Sequence, residues 1–176
     1  MIDFSQDYFA LFGLPPRYRC DARLLDAAYR RLQSEVHPDR FAASGETERR
    51  LALQSSARVN EAYRALKDPV DRGQYLLSLH GIDALAETDT VLPSDFLEHQ
   101  LERREAVGEA AALGDARTLG SLLSDVREEV AELEHVLADE LDGARALDAA
   151  RTTVRKLKFL SKLAADIEAA IAEVED

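Results

Sequence analysis

A chain of 176 residues with 46% hydrophobic residues can hold one ordinary domain or two small ones, each with its own core. One cysteine excludes an internal disulfide framework, and four histidines leave few possible sets of metal ligands. The net charge of −12 is uneven, with 12 Lys and Arg against 11 Asp and Glu in residues 1–80 and 10 against 23 in residues 81–176; this predicts two modules and disfavours nucleic-acid binding, since an acidic half repels phosphate.

The N-terminal stretch MIDFSQDYFALFGLPP has no basic segment, and Gly13 and Pro15 interrupt its apolar residues, so it does not read as a signal peptide. No apolar run approaches the ~18 residues that a membrane span needs. The expectation is a soluble cytoplasmic protein with no membrane partner. Within this stretch a short helix is predicted, with Tyr8, Phe9 and Phe12 covering the open side of whatever helices follow.

From Asp21, a plausible N-cap, apolar residues recur at Leu25, Ala28, Leu32 and Val36, the spacing of one buried helical face. Arg23, Arg30 and Arg31 fall on its polar side. The residue before a proline avoids the α conformation, so His37 should end this helix. After FAASGE a second long helix is predicted, with Ala52, Val59, Ala62, Tyr63 and Leu66 on one side and an end at KDP. The two would pair antiparallel, joined by an unstructured but compact loop of roughly eight to ten residues with HPD at its tip.

DRGQYLLSLHG reads as a hinge in which Tyr75, Leu76, Leu77 and Leu79 form a short apolar turn, followed by a turn-rich connector. We place a domain over residues 1–80, a linker over 81–93 and a second domain over 94–176. The last contains three helical stretches, separated by LGD at 113–115 and LDG at 141–143, each a glycine next to an aspartate at a helix boundary. Leu119, Leu122, Val126, Val130, Leu133 and Leu137 mark the middle helix. Leu147, Ala150, Val154, Leu157, Leu160, Ala164, Ile167 and Ile171 mark the last. Short connections make these antiparallel neighbours in a three-helix bundle, and the whole chain reads as all-α.

Enzymatic chemistry finds little support. A metal-dependent hydrolase built on His37 and Asp39 would need further converging ligands, and His80, His99 and His135 have no partner at helical spacing. Cys20 lies just before a helix N-terminus but has no companion thiol. No glycine-rich phosphate loop and no G-x-S-x-G turn occurs.

HPD between two long amphipathic helices, the first carrying basic residues on its polar side, resembles the J-domain of heat-shock co-chaperones. DYFALFGLPPRY, HPDRF, VNEAYRALKDPVDRGQYLLSLHG, FLEHQLERREAV and VRKLKFLSKL, in that order over almost the whole length, are similar to the HscB family, the J-type co-chaperones of iron-sulfur cluster assembly. The fold this resemblance implies is an N-terminal J-domain, with its antiparallel helix pair and short helices, followed by a C-terminal three-helix bundle.

The resemblance also implies the partners. The J-domain would bind the DnaK-type chaperone HscA and speed its ATP hydrolysis, and the bundle would carry the scaffold protein IscU to it. The chain itself would have no catalytic residue, cofactor or metal. His37, Pro38 and Asp39 would form the activating tip, with Pro38 setting the bend and Asp39 offering a carboxylate. Arg23, Arg30, Arg31 and Arg40 would face an acidic chaperone surface and govern encounter and orientation. Leu97, Leu101, Glu102, Glu105 and Phe159 match the family's scaffold-binding positions. At Glu98 the match fails, since relatives carry methionine there, so the patch is expected to be smaller or more electrostatic. The alternatives are a J-domain protein serving a different client and, from another class, the hydrolase.

Overall fold

The computed structural model describes residues 2–86 and 91–175; residues 87–90 of the expected linker lie outside the described residues. The chain divides into two compact units, the first ending at His80 and the second beginning at Gly81. Among the described residues there are seven α-helices and no strand.

In the first unit, α1 spans Tyr8–Phe12, α2 Ala22–Val36, α3 Glu46–Lys67 and α4 Pro69–Ser78. Asp7 caps α1 by accepting from the Ala10 N–H at 2.8 Å, and Asp21 caps α2 by accepting from the Arg23 and Leu24 N–H groups. Each cap satisfies donors that a helix start leaves without partners. Helices α2 and α3 pair through Leu25, Leu32 and Val36 on one side and Ala52, Val59, Ala62 and Leu66 on the other, all buried. Tyr8, Phe9 and Phe12 of α1 close the core against both helices, as the sequence suggested, and Leu11 joins them. Each fully buried large side chain contributes about 2 kcal/mol of hydrophobic stabilisation.

A second, polar seam runs down the flank of the pair. Tyr29 and Tyr63 stack with ring centroids 3.9 Å apart. The Tyr63 hydroxyl donates to Asp26 Oδ1 at 2.7 Å, and Lys67 reaches the same carboxylate at 3.4 Å. Both the Tyr29 hydroxyl and the Gln33 amide donate to Asn60 Oδ1. Asp26, Tyr29 and Gln33 lie at helical spacing on α2, and Asn60, Tyr63 and Lys67 on α3, so the seam fixes the antiparallel register residue by residue.

The segment read as a hinge is a helix. α4 is ten residues long, Asp68 caps it by accepting from the Asp71 N–H, and Val70, Leu76 and Leu77 are buried against the rest of the first unit. The Tyr75 hydroxyl accepts from the Tyr8 N–H at 2.9 Å, and the two rings stack at 4.2 Å, tying α4 to α1. A run of adjacent apolar residues looks like a turn only if the helix is not seen to be buried on two sides.

In the second unit α5 spans Ser94–Ala112, α6 Ala116–Ala138 and α7 Leu147–Glu175, the last roughly 43 Å long at about 1.5 Å per residue. Phe96, Ala110, Leu119, Leu123, Val126, Leu160, Leu163 and Ile167 form the bundle core. Gly114 takes a left-handed φ of 66° between α5 and α6, where a side chain would be strained, which accounts for the glycine in LGD. LDG behaves differently. Residues Asp139–Ala144 form a single π-helical turn, and the left-handed position is Arg145, with φ 51°, not Gly143. Ahead of α5, Ala84 is fully buried, and Arg155 of α7 donates to the carbonyls of Ala84 and Val91 at 2.7 and 3.4 Å. The described part of the segment read as a linker is therefore held onto α7.

Candidate functional sites

α2 ends at Val36, and His37, at φ −58° and ψ 128°, turns the chain out of the helix because Pro38 follows. The loop is not unstructured: Pro38–Phe41 form a 3₁₀ turn. His37 caps that turn, its Nδ1 accepting from the Asp39 N–H at 3.3 Å. The Asp39 carboxylate approaches His37 Nδ1 at 3.6 Å, yet its side chain is 90% exposed. The tip thus presents an exposed carboxylate and an imidazole on a bend that proline holds in place.

The basic residues fall into order behind the tip. Arg23 and Arg30 are seven residues apart on α2, on one stripe with Ser34, opposite the buried Leu25 and Leu32. Arg40 donates to the Ser34 carbonyl at 3.1 Å, which brings its guanidinium to the end of the same stripe. Arg31 is exposed but lies off the stripe by about a quarter turn.

On α5 the buried face consists of Phe96, Gln100, Arg103 and Ala110. Arg103 donates to Glu129 of α6 at 2.8 Å and to Gln100 at 2.9 Å, so polar residues hold positions that a sequence reading would give to leucine. Leu97 and Leu101 consequently face outward, at 44% and 61% exposure, rather than into the bundle core. Glu105 continues their stripe. Glu98, Glu102 and Glu109 are exposed beside it, so Glu98 adds a carboxylate to the edge of the apolar strip.

Phe159 of α7 is half-buried. Its ring meets Phe96 edge to face at 5.8 Å, and the guanidinium of Arg104 lies 4.8 Å from its centroid. Arg104 is seven residues after Leu97 and three after Leu101, so Phe159 borders the strip of exposed leucines. Leu97, Leu101 and Glu105 thus share an exposed stripe of α5 with Glu102 on the adjoining acidic stripe, and Phe159 packs on Phe96 and Arg104 of the same helix.

The remaining candidates do not form a site. Among the described residues no three His, Cys, Asp or Glu side chains are placed to hold a metal ion. Burial pushes the Cys20 thiol up from its ordinary value, with the Arg72 charge opposing. No helix among the described residues is long and apolar enough to cross a membrane.

Two family models match the chain: the DnaJ domain over residues 7–75, and the HSCB C-terminal oligomerisation domain over residues 92–168. A "Co-chaperone protein HscB homolog" from an Azoarcus species is 46% identical over 175 residues, covering 99% of each chain. Among solved structures, the chaperone HscB from Vibrio cholerae superposes with a TM-score of 0.85 at 35% identity, over 96% of this chain and 99% of that one. The human co-chaperone protein HscB gives 0.89 at 29% identity, over 95% and 83%.

Proposed function

We infer the function from one premise: this chain belongs to the HscB family of J-domain co-chaperones, which are partners of a chaperone rather than enzymes. In our reading it serves iron-sulfur protein maturation in the cytoplasm. Its first unit engages the DnaK-type chaperone HscA through His37, Pro38 and Asp39, guided by Arg23, Arg30, Arg31 and Arg40. Its second unit delivers the scaffold protein IscU through Leu97, Leu101, Glu102, Glu105 and Phe159.

The supporting observation is the outward display of Leu97 and Leu101, on a helix whose inward positions are occupied by Gln100 and Arg103. Two exposed leucines in succession on one stripe, bordered by a half-buried phenylalanine and a row of carboxylates, fit the apolar centre and polar rim of a protein interface. Delivery follows from linkage: one chain holding cargo on the bundle and chaperone on the tip raises the local concentration of each for the other.

Calorimetric titration of the chain into IscU tests the cargo assignment. Saturable binding that L97A/L101A weakens by at least about 10-fold is expected. Absence of binding, with stimulation of the chaperone intact, would assign the bundle to a different client.

A further inference from the structure

At one end of the first unit the core opens onto the surface. Phe9, Val59, Ala62 and Leu66 are fully enclosed, whereas Leu11, Leu32 and Val36 retain 8%, 9% and 7% of their surface. Those three form the floor of a groove of about 410 Å³, walled by half-buried Ile2, Phe41 and Leu51. Its rim carries three exposed carboxylates, Asp3, Glu35 and Glu48, and no lysine or arginine is among the residues that line it. Hydrogen bonds from the Ser5 hydroxyl and N–H hold the Asp3 carboxyl below its ordinary range, so this corner is negative at neutral pH.

This arrangement reverses the charge of the basic stripe on α2. The groove volume suits a few apolar side chains, and a mainly apolar concavity with few polar groups is the usual form of a binding site. An acidic rim around an apolar floor discriminates against acidic segments and anionic membrane surfaces. We propose that this groove is a docking site for a short peptide segment of a partner protein, one with apolar side chains flanked by lysine or arginine. The occupant would touch Val36, the last residue of α2, and Phe41, the last of the 3₁₀ turn, and so contact both sides of the His37–Pro38–Asp39 bend. All of the lining residues belong to the first unit, and the proposal does not depend on the roles assigned to the tip or the bundle.

The test uses the full chain and two fluorescein-labelled heptapeptides, AKLFLKA and its acidic counterpart AELFLEA, read by anisotropy. The basic peptide is expected to bind and the acidic one not. E35K/E48K, which alters only exposed positions, should weaken the basic peptide at least about 10-fold. L51W, which narrows the groove, should weaken it also. Amide shifts on binding should centre on Leu11, Val36, Phe41 and Leu51. Equal binding of both peptides, insensitivity to E35K/E48K with the variant shown folded by circular dichroism, or shifts centred on the bundle would each overturn the proposal. So would self-association of the chain that E35K/E48K abolishes, which would make a second copy the occupant.

Discussion

The backbone N–H of Asp39 donates to Nδ1 of His37 across 3.3 Å, so the histidine closes the turn that Pro38 opens and the aspartate side chain is left to solvent. The three residues of the tip thus have separate physical tasks: one caps, one bends, one presents charge.

That division predicts separable effects. Asp39→Asn keeps the backbone bond and removes only the exposed charge, so it should abolish chaperone stimulation while changing unfolding free energy by less than about 0.5 kcal/mol. His37→Ala removes the cap as well and should cost about 1 kcal/mol in addition to the loss of stimulation. Urea denaturation beside an ATPase assay distinguishes the two.

The Arg103–Glu129 pair, with Arg103 buried and Glu129 half-buried, predicts a non-additive result. Arg103→Ala strands the Glu129 carboxylate and the Gln100 amide oxygen, and should destabilise the second unit by about 2–3 kcal/mol. Replacing both Arg103 and Glu129 with methionine should recover most of that loss, because two apolar groups need no partners. A double-mutant cycle in denaturant measures it. Additive losses would mean that the pair is not coupled.

Leu97 and Leu101 should behave unlike Phe159. Alanine at either leucine should alter stability by no more than about 0.5 kcal/mol while weakening scaffold binding by about 1–2 kcal/mol. Phe159→Ala loses packing on Phe96 and beneath Arg104, and should cost about 1–2 kcal/mol of stability as well as affinity. Thermal melts of the three variants, set beside titrations, would show the contrast.

The polar seam predicts a pH dependence. The Tyr63 hydroxyl, and then Lys67, hold the Asp26 carboxyl below its ordinary value of 3.8. A carboxyl whose pKa is depressed on folding stabilises the fold above its unfolded pKa and loses that contribution as pH falls through the folded one. Stability of the first unit should therefore decline below about pH 3.8, and Asp26→Asn should remove part of the decline. Unfolding followed from pH 6 to pH 2, in roughly half-unit steps, checks the sign.

Much of this architecture is legible in the sequence because the responsible forces are local. A proline after His37 ends α2 whatever surrounds it, and the three- and four-residue apolar spacing of α6 and α7 leaves no competing strand pattern. What could not be read depends on neighbours distant in sequence. Leu97 and Leu101 have the spacing of a core stripe, and only the burial of Gln100 and Arg103, allowed by Glu129 on another helix, turns them outward. Arg145 takes the left-handed position that LDG promises to Gly143, because α6 widens into a π turn before it stops. The Asp26–Tyr29–Gln33 spacing on α2, and its counterpart on α3, carried a signal for the polar seam that an apolar-only pattern search passes over.

The most direct test of the account is steady-state ATP hydrolysis by the cognate HscA with this protein, with and without IscU, alongside His37→Gln. Stimulation that IscU enhances synergistically and that the substitution removes is the predicted result. Failure of the unaltered chain to stimulate hydrolysis under any of these conditions would contradict the co-chaperone mechanism proposed here.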